Sequence, residues 1–71
     1  MTFSENLAAL RKARGLLQKE VAEAANLAVR AYQRYEYGQR EPTLSTLVAL
    51  ADFYAISVDE LICHQPKDKK Q

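Results

Sequence analysis

Phe3, Leu7 and Leu10 recur at three- and four-residue intervals, and the same rhythm returns in later segments of the chain. No stretch alternates apolar and polar residues as a half-buried strand would. The spacing predicts a first helix from Phe3 to Ala13 or Arg14, opened by Thr2-x-x-Glu5 or by Ser4 and stopped at Gly15. A short second helix spans Gln18 to Ala25, with Val21, Ala22 and Ala25 on one face. Asn26 follows it, a residue type that tolerates the left-handed backbone a tight turn needs. The third helix runs from Ala28 or Val29 to Tyr37 and ends at Gly38. Thr43 caps a fourth, which carries Leu44, Leu47, Val48, Leu50, Ala51 and Tyr54. Ser57-x-x-Glu60 is a capping-box pattern that opens a fifth, with Val58, Leu61 and Ile62. The expectation is an all-α fold, a compact five-helix bundle over residues 1–64, followed by a charged flexible tail at 65–71.

The third helix departs from the usual division into one oily and one charged face. Its sequence continues into RAYQRYEYGQR, residues 30–40, dense in tyrosine, arginine and glutamine. Setting Val29 at 0° on a helix that turns about 100° per residue puts Tyr32, Tyr35 and Ala31 at about 300°, 240° and 200°. That arc is the expected buried side. Gln33, Tyr37, Arg30 and Arg34 fall at about 40°, 80°, 100° and 140° on the opposite side, with Val29 at its edge. Arginine can bond guanine O6 and N7 together, glutamine can bond adenine N6 and N7, and valine can touch a thymine methyl. The face therefore has the chemistry to read base edges. An ordinary solvated helix surface would show the same residues, so the wheel leaves both readings open.

Size and composition narrow the field. Seventy-one residues support one small core. An apolar fraction of 48% suits a globular chain, while no apolar run is long enough to span a membrane. MTFSENLAALRK lacks the pattern of a signal peptide, and a single cysteine, Cys63, forms no disulfide framework; a reducing cytoplasm is the expected location. His64 has no second or third ligand for zinc, and no nucleophile, base and orienting group occur together. No cofactor, no metal and no enzymatic activity are expected. Net charge is only +1, but its distribution is uneven. Residues 11–40 carry seven basic side chains against Glu20, Glu23 and Glu36, whereas residues 41–66 contain no Lys or Arg and four acids. A basic half beside an acidic half suits an anionic partner on one side; ordinary surface scatter is the alternative.

The connection between the second and third helices decides between these readings. Two short helices joined by the turn Asn26-Leu27-Ala28, with small Ala22 and Ala31 where they must approach, match a helix-turn-helix. With Gln18 opening the second helix, Val21-Ala22, Glu36-x-Gly38, Pro42-Thr43-Leu44 and Ser57-Val58-Asp59-Glu60-Leu61, the chain resembles the lambda-repressor-like helix-turn-helix family, the Cro/repressor or XRE type. The resemblance covers about residues 3–63. It implies that Val29, Arg30 and Arg34, with Gln33 nearby, read bases. It also implies that Gln18, Gln39 and Arg40 lie against the DNA backbone, and that Arg11 and Glu36 form a structural salt bridge. Tyr37 is expected either to touch the backbone or simply to stand exposed. Tyr32 takes a place where the family prefers Ile or Val, and is expected to be a core aromatic whose hydroxyl reaches the surface. The chain departs from the family at Leu17 and Ala28, where Ser or Thr is usual as a cap, and at Asn26, where Gly is usual.

The resulting expectation is a sequence-specific double-stranded-DNA-binding regulator, a repressor acting as a homodimer on a pseudo-palindromic operator, with no membrane partner. The dimer surface is sought on the last two helices. The alternative is an antitoxin or adaptor that keeps the fold and docks a protein partner through residues 41–63.

Overall fold

The computed structural model describes residues 1–63, so the expected tail at 65–71 and His64 lie outside the described residues. Five helices follow in order: α1 (Phe3–Ala13), α2 (Gln18–Ala24), α3 (Val29–Glu36), α4 (Leu44–Tyr54) and α5 (Val58–Leu61). α2 and α3 each end one residue before the expected limit, at Ala24 and Glu36, because Ala25 and Tyr37 serve as C-caps.

The starts of the helices follow local chemistry. Thr2 and Ser57 both build complete capping boxes with Glu5 and Glu60, and the Thr43 hydroxyl accepts the Thr46 N–H. At α2 only half of a box forms. The Leu17 N–H donates to Glu20 Oε1 at 2.7 Å, while the Leu17 side chain offers no acceptor in return. Ala28 likewise gives α3 no side-chain cap.

One device ends each of the first four helices. Gly15, Asn26, Gly38 and Ala55 each adopt a left-handed conformation, with φ of 66°, 60°, 73° and 58°. The amide of the next residue then reaches back five positions: Leu16 to the Arg11 carbonyl, Leu27 to Ala22, Gln39 to Arg34 and Ile56 to Ala51, at 2.8–3.1 Å. These are Schellman closures, which satisfy carbonyls that the helix itself leaves open. In three of them the residue that reaches back is apolar. Leu16, Leu27 and Ile56 all pack against the core, so each helix stop also places a hydrophobic anchor.

The core that these closures assemble contains Leu7 of α1, Val21 and Ala22 of α2, Tyr32 and Tyr35 of α3, Leu50, Ala51 and Tyr54 of α4, and Leu61 of α5. Tyr32 and Tyr35 are buried on the side of α3 assigned to them, and Ala31 is half-buried. The expectation that the Tyr32 hydroxyl reaches the surface does not hold: Tyr32 is fully buried, and neither its hydroxyl nor that of Tyr54 has a hydrogen-bond partner among the described residues. The helix wheel gives direction but not depth.

Two side chains tie the ends of the bundle together. Asn6 donates from Nδ2 to the carbonyls of Glu60 and Leu61, both at 3.0 Å, and so fastens α1 to the end of α5. Arg14 donates to the Tyr54 carbonyl at 3.0 Å, with its guanidinium 5.1 Å from the centre of the Tyr54 ring.

Ala55 is the one left-handed stop of the four filled by an alanine, whose Cβ is strained there by about 1–2 kcal/mol. Ala55→Gly removes that strain but adds about 0.5–1 kcal/mol of unfolded-state entropy. A net gain of about 0.5–1 kcal/mol is expected, read as a melting temperature several degrees higher in a thermal unfolding scan.

Candidate nucleic-acid interface

Because Tyr32, Tyr35 and Glu36 hold α3 to the bundle, the opposite side of the helix is left free. Val29, Arg30 and Arg34 are exposed on it, and Tyr37 stands beyond them, 61% exposed. Gln39 and Arg40 are exposed in the loop that follows Gly38. Gln18 and Gln33 differ from these: both are half-buried and both are hydrogen-bonded.

Glu36 is the centre of the arrangement. Its Oε2 accepts from Arg11 Nε at 2.6 Å and its Oε1 from Arg11 Nη2 at 3.2 Å, a two-pronged pair between α1 and α3. Arg11 Nη1 donates to the Leu16 carbonyl at 2.9 Å, so one guanidinium braces α1, the first turn and α3 together. The carboxylate side chain is 3% exposed and that of Arg11 14%. Burial by itself would raise the Glu36 pKa; the hydrogen bonds from Arg11 and Gln18 outweigh it and hold the carboxyl below the ordinary carboxylate range. The same contact raises the Arg11 pKa further. Glu36 is thus a neutralised anion behind the basic face rather than a free negative charge on it.

From Glu36 the bonding continues outward. Gln18, the first residue of α2, donates from Nε2 to Glu36 Oε1 at 3.1 Å, and Gln33 donates from Nε2 to Gln18 Oε1 at 3.1 Å. Sequence reasoning places Gln18 on the backbone and Gln33 near the base-reading residues, but does not connect them. Two residues fifteen apart meet only because the turn brings the start of α2 beside the middle of α3. The signal available in the sequence was weak: two long amides fifteen residues apart, with no local spacing that joins them. An open surface cleft of about 520 Å³ adjoins this cluster, lined by Ala8, Arg11, Lys12, Leu17, Gln18, Glu36 and Tyr37.

Among the described residues, no group of three His, Cys, Asp or Glu side chains comes together to hold a metal. None of the described helices is long and apolar enough to cross a membrane.

The arrangement is a helix-turn-helix: α2 packs against α3 across a tight turn, and α3 presents one uncovered face. The helix-turn-helix family model matches residues 7–61. The chain belongs to that family, in its lambda-repressor-like (XRE) branch. It is 37% identical over its full 71 residues to the cryptic phage CTXphi transcriptional repressor RstR of Vibrio cholerae serotype O1, covering 63% of that protein. It is 36% identical over 67 residues, 94% of the chain, to the HTH-type transcriptional regulator YqaE of Bacillus subtilis, covering 58% of it. The chain thus spans about three fifths of the length of these relatives. A transcriptional regulator from Listeria innocua superimposes with a TM-score of 0.86 at 32% identity, over 97% of this chain and 64% of that one. The P22 c2 repressor, crystallised with a synthetic operator, superimposes with a TM-score of 0.85 over 92% of this chain and 98% of its own, at 23% identity, and shares the fold.

The lowered pKa of Glu36 has a defined sign in stability. The pair stabilises the fold fully above the ordinary glutamate value of 4.5, and that contribution is lost as pH falls below it toward the depressed folded value. Glu36→Gln is expected to be less stable at neutral pH and to lose less stability than the wild type between about pH 5 and pH 3. Urea midpoints measured across that range check it; parallel curves for the two proteins would contradict the assignment.

Proposed function

We propose that this chain is a sequence-specific double-stranded-DNA-binding domain of a transcriptional regulator, acting as a repressor. The observation that carries the reading is the free face of α3, where Arg30 and Arg34 stand exposed one turn apart while Tyr32 and Tyr35 anchor the reverse side. A helix fits the major groove, and arginines at this spacing reach neighbouring base pairs. Val29, Arg30, Gln33 and Arg34 read base edges. Gln18, Tyr37, Gln39 and Arg40 contact the backbone and fix the register. Family membership supports the reading, as do relatives named as a repressor and a transcriptional regulator. The binding unit is residues 1–64, and it acts in the cytoplasm on the nucleoid.

A module of this size buries little DNA, so two copies bind a pseudo-palindromic operator whose half-sites lie about one helical turn apart. α4 and α5 contain no Lys or Arg, and α4 carries Leu44 and Val48 one turn apart, 72% and 43% exposed. These two residues form the contact between copies. Leu44→Lys together with Val48→Lys is expected to shift the protein to monomer in sedimentation velocity while leaving its helical content intact. An unchanged oligomeric state would place the contact elsewhere.

Selection of sites from random duplexes tests the function directly. Arg30→Ala or Arg34→Ala is expected to cost about 1–3 kcal/mol on the selected site and to relax preference at one base pair. Log affinity should fall with log salt at a slope near −0.9 per phosphate neutralised. Docking of a protein partner through residues 41–63 would show no such slope, and unchanged preference in both variants would refute the base-reading roles.

A further inference from the structure

α1 has two sides of unlike chemistry. With Phe3 at 0° on a helix that turns about 100° per residue, Ala8, Arg11 and Lys12 fall between about 80° and 180°. That side meets α3 through Arg11 and Glu36. Asn6, Ala9, Leu10 and Ala13 fall between about 240° and 340°, a stripe without charge on the other side. α5 packs beside this second side, pinned there by Asn6. An open cleft of about 790 Å³ runs between the two helices. Met1, Leu10, Ile56 and Cys63 give it apolar walls, while Asn6, Asp59 and Glu60 are its polar lining. Among the described residues, no Lys or Arg lines it.

Hydrogen bonds already made decide what this cleft can still offer. Asn6 Nδ2 is spent on the carbonyls of Glu60 and Leu61, and the Cys63 thiol donates to the Thr2 carbonyl at 3.8 Å. Glu60 Oε1 accepts from the Ser57 amide. The side-chain groups that remain are Asn6 Oδ1, Glu60 Oε2 and the Asp59 carboxylate, and all of them are acceptors. Arg14 falls at about 20°, next to Leu10 on the wheel, but its guanidinium is held at the Tyr54 carbonyl. Residues 41–63 hold four acids and no Lys or Arg, so α5 has no cation of its own to answer them.

We propose that the cleft between α1 and α5 docks a basic amphipathic helix of a partner protein, with α3 left free. Leucine-like groups of that helix lie against Leu10 and Ile56, and its Lys or Arg side chains supply the donors that Asp59 and Glu60 lack. A second copy of this chain does not meet the need, because the same face would set acid against acid. The docked helix lies on the side of α1 turned away from Arg11 and Lys12, so it does not cover Arg30 or Arg34. The proposal stands apart from the DNA-binding reading and does not require it.

The test titrates the ¹⁵N-labelled full chain with a synthetic peptide of about five helical turns, Leu on one face and Lys and Arg on the other. A scrambled peptide of the same composition serves as the control for plain charge attraction. Backbone amide shifts are expected to saturate in the micromolar range and to centre on Asn6, Leu10, Ile56, Asp59 and Cys63. Asp59→Lys and Ala9→Lys change exposed residues on the two walls, and the spectra of the free variants report whether the fold is intact. Each is expected to weaken the peptide about tenfold or more by setting like charge against it. Lys12→Ala, on the opposite side of α1, is expected to leave the affinity within about twofold. Equal binding of the scrambled peptide would overturn the proposal. So would shifts centred on Leu44 and Val48 or on α3, or undiminished affinity in both Asp59→Lys and Ala9→Lys. Shifts at the cleft on diluting the protein alone would make a second copy the occupant and overturn it as well.

Discussion

The hydrogen-bonded pair between Arg11 and Glu36 is where the fold and the candidate site depend on each other. Glu36 lies at the last turn of α3 and is nearly inaccessible, so its charge would be costly without a partner that is itself held in place. Arg11 meets that condition because its third nitrogen is bound to the Leu16 carbonyl, just past the stop of α1. One planar guanidinium thereby fixes the distance between α1 and α3 and the path of the turn leading into α2. Every outward group on α3 takes its position from this clamp. Without it the basic face would carry an unneutralised carboxylate, which would repel a phosphate backbone.

Packing around the clamp explains why so polar a helix is stable in place. α3 contributes only Tyr32 and Tyr35 as large apolar groups, yet both are buried. Each phenol brings more contact area than an aliphatic side chain would. The cost is visible in Tyr32 and Tyr54, whose hydroxyls are buried without partners among the described residues. Burial pushes the pKa of both phenols upward, so they stay neutral beside the Glu36 carboxylate. The arrangement trades some stability in the core for a helix with a whole side left free to bind.

Much of this was legible locally. The capping boxes at Thr2 and Ser57, the hydroxyl cap at Thr43 and the stops at Gly15, Asn26 and Gly38 rest on residues only a few positions apart, and short-range chemistry decides them. The inward direction of Tyr32 and Tyr35 and the outward direction of Arg30 and Arg34 follow from helical periodicity alone. Ala55 was not legible as a stop, since alanine carries no preference for the left-handed region that it occupies. Its conformation is imposed by Ile56, which must turn back onto the core.

The sequence by itself determined which segments are helical, which side of each is apolar, and which types of side chain stand on the free face of α3. Those properties depend on intervals of three and four residues, which the chain carries wherever it folds. Only the tertiary structure decided how deep Tyr32 lies, what surrounds its hydroxyl, and that Gln18 and Gln33 share a bond. These depend on distances between helices, and such distances are set by the whole core together with the Arg11–Glu36 clamp. The same sequence of amides and arginines on an isolated helix would have no fixed order of donors and acceptors. The buried carboxylate supplies that order, because it can only accept.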